Sequence, residues 1–229
     1  MPDLTRDGDV FVLDLGDGEN RFNPPWVGAV RAAIEEVEAA EGPRALVTTA
    51  RGKAWSVGLD LEWMGQNAGE LEGFVAEVHG LFARVLAAGV FSVAAIQGHC
   101  FAAGAMLAMC HDLRVMRADR GYFCLPEADI NIPFTPGMAA LLQARMSPQT
   151  AHVAMCSGYR YGGAEAQAAQ IVDEAVAEEL VLGRARELAA TRAAAEPGTL
   201  RAIKRGMYAT ALALLEDPDS GRIAVPPGA

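Results

Sequence analysis

Two short stretches and one acid carry the residue types from which chemistry could be built. GKAWSVGLDLEWM (52–64) leaves a strand, turns through Gly58 and starts a helix at Asp60. GHCFAAGAML (98–107) again passes from strand end to helix start, through residues of minimal size. A helix N-terminus has unpaired backbone N–H groups and the positive end of the helix dipole. Two such ends that converge would form a pair of donors for an oxyanion. Taken alone, each junction reads as an ordinary strand-to-helix connection. The acid is Glu127, alone among Leu125, Pro126 and Ala128. A carboxylate in apolar surroundings has its pKa raised toward general-base strength. On an exposed loop the same residue would be a plain surface acid.

Other reactive types have simpler readings. Asp60 is placed to cap the helix that follows it. Asp112 reads as a strand-start residue, although His111-Asp112 superficially invites a dyad. Asp129, two residues after Glu127 in an extended segment, would face the opposite way. His79, His99 and His152 lack ligand spacing and read as structural. Ser56 lies in WSVG rather than GxSxG, which gives no nucleophile elbow. Cys100, Cys110, Cys124 and Cys156 form no CxxC pair and no zinc-type cluster, so they read as reduced, packed thiols. No metal and no separate cofactor are expected.

The 229 residues are 52% hydrophobic and 21% charged, as expected of a globular chain with a substantial core. The 29 acidic and 19 basic residues give a formal charge of −10, which argues against a nucleic-acid partner. No apolar run approaches the roughly 20 residues that span a bilayer. MPDLTRDGDV has no basic-then-apolar leader pattern, which points to the cytoplasm.

The elements that must position these residues are read from periodicity. VFVLDL (10–15), ALVTTA (45–50), SVAAIQG (92–98) and DLRVMR (112–117) are predicted strands. Helices are predicted after Pro24-Pro25, over DLEWMGQ, over 71–89 and across FAAGAMLAMCHD, which is apolar all round. YFCLPEADINIPF reads as irregular and extended. Beyond it MAALLQARM, SPQTAHVAMCSG, GAEAQAAQ, EAVAEELVLGRARELAATRAAA and TLRAIKRGMYATALALLE all read as helix, and the tail DPDSGRIAVPPGA as loosely held. The expected architecture is α/β, with a core over 1–175 and a helical C-terminal region over 176–229 that covers the site or mediates oligomerisation.

Three ordered segments resemble the signatures of the crotonase (enoyl-CoA hydratase/isomerase) superfamily: AWSVGLDL, IQGHCFAAGAMLAMCHDLRVM and CLPEADINIPFTPGMAALL. The resemblance runs over roughly residues 10–175 and implies a ββα spiral core, a helical C-terminal region and a homotrimer or dimer of trimers. It implies an acyl-CoA thioester as substrate, with coenzyme A arriving as part of it. The backbone N–H groups of Leu59 and Ala103 would hold the thioester oxygen, Ala103 standing where glycine is often found. Hydratases of the superfamily use two glutamates; the first aligns with Met106, which can neither position water nor deliver a proton, and the second with Glu127.

A lone second glutamate is the pattern of Δ3,Δ2-enoyl-CoA isomerases, and AAGAMLAMCHDLRVMRADRGYF is most similar to their plant peroxisomal branch. The implied reaction is a 1,3-proton shift with Glu127 as the single acid/base and Met106 as apolar wall. The alternatives are a hydratase or other crotonase-type acyl-CoA enzyme, or a non-catalytic acyl-CoA-binding member. By the same resemblance, backbone at Lys53, Ala54 and Trp55 would cup the adenine, with Gly58 and Asp60 flanking the Leu59 donor. Arg21 and Lys204 or Arg205 would meet the phosphates, although basic residues on helices are usually solvated. Trp63, Met64, Phe74 and Phe134 would line an acyl tunnel; packing alone would explain them equally well.

Overall fold

The computed structural model describes residues 1–222. In chain order the first half holds β1 (Asp3–Asp7), β2 (Val10–Asp14), β3 (Arg21–Phe22), α1 (Pro24–Ala39) and β4 (Ala45–Thr49). β5 (Ala54–Ser56), β6 (Gly58–Leu59), α2 (Leu61–Gln66), α3 (Leu71–Leu86) and β7 (Phe91–Ile96) follow. β8 (His99–Phe101), α4 (Ala103–Cys110), β9 (Leu113–Arg117) and β10 (Phe123–Cys124) complete the strand-rich part. Then come α5 (Pro136–Arg145), α6 (Pro148–Ser157), α7 (Gly163–Ala168), β11 (Glu174–Val176), α8 (Val181–Ala190), α9 (Pro197–Met207) and α10 (Ala209–Leu215).

The main sheet has the order β1-β2-β4-β7-β9-β11, parallel except for the antiparallel β1–β2 pair. Its central strands are buried on both faces, which is why β4 and β7 carry no charged residue and alternate little between apolar and polar. A second, parallel sheet stacks β10-β8-β5, and β3 pairs with β6. These small sheets bring the two strand-to-helix junctions side by side.

The predicted helix signals act as expected at two starts. Asn23 Oδ1 accepts the Trp26 N–H at 3.1 Å ahead of Pro24-Pro25, and Asp60 Oδ1 accepts the Trp63 N–H at 3.2 Å. All eight residues of α4 are buried, which accounts for its lack of a polar face.

The C-terminal third departs from the sequence reading. The predicted helix over 174–195 begins as strand β11, paired in parallel with β9. EAVAEEL has good helix formers, but the open edge of the main sheet offers ladder bonds that override local propensity. The boundary drawn at 175/176 falls inside that strand. α8 lies on the main sheet, where Val181, Ala185 and Ala189 pack with Val47, Val93 and Val115, away from the junctions. The single helix expected over 199–216 divides at Tyr208 into α9 and α10. Of the C-terminal tail, residues 223–229 lie outside the described residues.

Candidate active site

The first junction is built from the chain that precedes it. Asn20, buried at φ +50°, donates from Nδ2 to the Trp55 carbonyl at 2.9 Å. Its own carbonyl accepts the Ser56 hydroxyl at 2.8 Å, and Ser56 Oγ in turn accepts the Gly58 N–H at 3.1 Å. Leu59 is in register with Phe22, whose carbonyl accepts the Asp60 N–H at 2.9 Å. Alternation along a parallel ladder therefore turns the Leu59 N–H away from β3.

On that other side lies the start of α4. Gly58 has φ +89°, and a Cβ there would lie 2.8 Å from Ala103 N and 2.9 Å from the Ala102 methyl. Gly104 is seated as tightly, since its Cβ would come within 2.7 Å of Ser56 Oγ. Ala103 is the first residue of α4, so its N–H has no partner within the helix. The unusual backbone falls one residue earlier, at Ala102, with φ +49° and ψ −128°. For a residue with a side chain that conformation costs about 1–3 kcal/mol, and it persists because the packing around it leaves no alternative. Small size at 102–104 is thus a requirement of close approach between the two junctions.

Leu59, Ala103 and Met106 line one cavity of about 380 Å³, together with Glu127 and, near Glu19, Arg21. Met106 is buried one turn into α4. Glu127 sits on a 3₁₀ turn over Pro126–Ala128, where Asp129 and Ile130 N–H groups bond the Pro126 carbonyl. It is 6% exposed, and Oε2 is buried without a hydrogen-bond partner. Burial pushes its carboxyl up to about 7, partly offset by its own backbone N–H. The turn also corrects the extended reading of this segment: Asp129 packs against Gly158 of the left-handed turn after α6.

The remaining candidates scatter. Arg21 reaches the cavity but is held by Glu19 at 2.7 Å. Lys53 lines a separate polar cleft with Arg117 and Arg120. The Ala54 carbonyl accepts from Gln97, and Trp55 is fully buried with its indole N–H bonded to the Thr48 carbonyl at 3.3 Å. Trp63 rests on Phe74, ring centroids 4.8 Å apart, outside the cavity lining. Phe134 lines a second cavity that shares Glu127, Ile132 and Pro133 with the first. Arg205 pairs with Glu216 on the surface.

Lys204 is the clearest correction. Its ammonium is buried, 2.7 Å from Asp112 and 3.1 Å from the Val90 carbonyl, and it faces the interior rather than any phosphate. Asp112 also accepts the Ser92 N–H, so it ties β7, β9 and α9 together. Lys204→Ala is expected to destabilise the fold by about 3 kcal/mol by stranding that carboxylate. Substrate KM should be unchanged, and urea unfolding beside steady-state kinetics checks both. His111 forms no dyad with Asp112. It bonds the Leu107 carbonyl and Thr48 Oγ1, and burial lowers it to about 4.

Sequence reasoning missed Asn20 and Thr135 and weighed Ser56 only as a nucleophile, because the signal of each is a single polar residue without periodicity. Among the described residues no group of His, Cys, Asp or Glu is arranged to hold a metal ion.

The comparisons with known proteins concern the chain as a whole. Residues 7–217 match the family model described as enoyl-CoA hydratase/isomerase. The chain is 36% identical over 185 residues to the peroxisomal enoyl-CoA delta isomerase 2 of Arabidopsis thaliana, covering 76% of this chain and 77% of that one. Its structure is similar to human mitochondrial delta3-delta2-enoyl-CoA isomerase, with TM-score 0.89 and 25% identity over 96% and 88% of the two chains. An apo Mycobacterium tuberculosis enoyl-CoA isomerase gives TM-score 0.88 and 26% identity, with 96% of each chain covered. Shared order of the three segments, the crotonase-type architecture and these matches lead to one assignment: the chain belongs to the enoyl-CoA hydratase/isomerase family.

Proposed function

We propose that the protein isomerises a 3-enoyl-CoA thioester to the 2-trans-enoyl isomer by a one-base proton shift. The observation that carries this reading is Glu127, a buried carboxyl with Oε2 unpartnered in an apolar cavity whose other wall, at Met106, has no acid. Glu127 removes a proton from C2. The negative charge of the dienolate then develops on the thioester oxygen, where the Leu59 and Ala103 N–H groups receive it. One such donor lowers the barrier by about 3–4 kcal/mol when it is fixed in advance. The same carboxyl returns the proton to C4. Hydration needs a second group to position water, and Met106 instead excludes water from the double bond. Arg21, released from Glu19, is the cation nearest to hand for a CoA phosphate.

Incubation with 3-hexenoyl-CoA and with crotonyl-CoA tests the reading. Absorbance of the conjugated 2-enoyl product from the first supports it; efficient hydration of the second rejects it. The pH profile is a separate check. The base must be ionised and its carboxyl titrates near 7, so kcat/KM is expected to rise with pH and level off above about 8. A profile flat between pH 5 and 8 would place the base elsewhere.

We also propose that the active form is a homotrimer or a dimer of trimers. The apolar stripe of Ile203 and Met207 on α9, 53% and 67% exposed, supports an assembly that covers it.

A further inference from the structure

α3 turns an apolar stripe of Phe74, Val75, Val78, Leu81 and Phe82 toward the core, and His79 lies within it with no solvent exposure. A histidine is a costly choice at such a position. Burial lowers its imidazole to about 4, so the ring is neutral, and Nδ1 is buried without a partner. A leucine would fill similar space and strand no polar atom. The polar contact the ring does make is from Nε2 to Thr135 Oγ1, at 2.9 Å.

Thr135 connects this ring to the cavity. It is 2% exposed, and it caps α5 by accepting the Met138 N–H at 3.3 Å on the same oxygen that meets His79. Its carbonyl accepts the Ala139 N–H at 3.0 Å. A hydroxyl with one proton and two lone pairs that is held by both a ring nitrogen and a cap N–H has little rotational freedom left. Thr135 and Met138 line the catalytic cavity, and so does Val75, one turn before His79 on α3. Between Glu127 and Thr135 the chain runs without regular structure once the 3₁₀ turn ends. The Ile132 N–H bonds the Glu127 carbonyl at 3.1 Å at one end, and the His79–Thr135 contact secures the other.

We infer that His79 is a positioning residue of the reaction, acting through the Thr135 hydroxyl to fix the cavity wall that runs from Glu127 to α5. This rests on the reading of Glu127 as the base. The ring touches no reacting atom. It holds the far end of the segment whose near end carries the carboxyl, and an error of about 1 Å in such a group is enough to cost 10²-fold in rate.

The test is a double-mutant cycle on 3-hexenoyl-CoA, with thermal melts in parallel, for His79→Leu, Thr135→Val and the two combined. His79→Leu is expected to lower kcat at least tenfold, to change KM by less than about twofold and to melt no lower than the parent. Thr135→Val is expected to lose a similar factor, and the combined variant to be no slower than the worse single one. His79→Gln, whose amide can reach the hydroxyl, recovers most of kcat, which a purely structural role would not require. Parental kcat in His79→Leu, losses that multiply in the combined variant, or His79→Gln as slow as His79→Leu each overturn the inference. If His79→Leu does not fold, Thr135→Ser against Thr135→Val decides: equal rates reject the role of the hydroxyl. Glu127→Gln in the same assay judges the base by itself, so failure of that reading is separate from failure of this one.

Discussion

Glu127→Gln is expected to lower kcat by about 10⁴ while the thioester still binds. One carboxyl makes both proton transfers in the proposed reaction, so its removal deletes the base of the first step and the acid of the second. A positioned acid–base group contributes about 10²–10⁴-fold; the wall at Met106 offers no acid, and the cavity's other carboxylate, Glu19, is engaged by Arg21. Glutamine keeps the volume and shape of the side chain, so isothermal titration with a saturated acyl-CoA should give an unchanged dissociation constant. Turnover surviving the substitution would mean that the base is another residue.

The same variant is expected to be more stable than the parent at alkaline pH. The Glu127 carboxyl is raised in the folded state from 4.5 to about 7, so the folded protein binds the proton more tightly than the unfolded chain. Its contribution to stability is fully present below pH 4.5 and is lost as pH rises through 7. Above that range the ionised, buried carboxylate costs about 3 kcal/mol, which glutamine does not incur. Unfolding in urea at pH 8 and pH 5 checks the sign. The gain over the parent should be large at pH 8 and small at pH 5.

Gly58→Ala is expected to lower kcat by about 10³ with a smaller loss of stability. Its φ of +89° is unfavourable for alanine, and the new methyl would lie 2.8 Å from Ala103 N. The atoms it meets, Ala103 N, the Ala102 methyl and the Phe101 carbonyl, belong to the chain entering α4 and none ends a flexible side chain, so relief requires Leu59 and Ala103 to move apart. Each displaced donor costs about 10²–10³-fold, and the two act on one oxygen. Gly8→Ala is the control for backbone strain alone. It also has positive φ, at +60°, but a Cβ there meets nothing within 4 Å. It should lose about 1 kcal/mol of stability and no activity. Equal kinetic losses in the two variants would remove the argument from close approach.

Much of this arrangement is legible in the sequence because it is local. Strands β4 and β7 announce themselves as runs rich in branched and small residues, α1 by Pro24-Pro25 and α2 by Asp60 at its start. The uninterrupted apolar character of 103–110 already implies a helix buried on every side, and the minimal residues at 102–105 imply close approach. Those signals lie within windows of about ten residues, where periodicity and turn chemistry act. The order of the three family segments is also a property of the string itself.

What the tertiary structure alone decided concerns partners far apart in the chain. Lys204 reads as a solvated cation on a helix until Asp112, 92 positions away, claims it. The 3₁₀ turn that buries Glu127, the strand at 174–176 and the strained backbone at Ala102 rather than Ala103 depend on elements packed against them. His79 reads as a structural histidine on an amphipathic helix, and only the Thr135 hydroxyl, 56 positions on, connects it to the cavity. Local sequence fixes which elements form and which face they bury. The protonation, strain and role of a polar side chain are set by the desolvation and partners that the finished packing supplies.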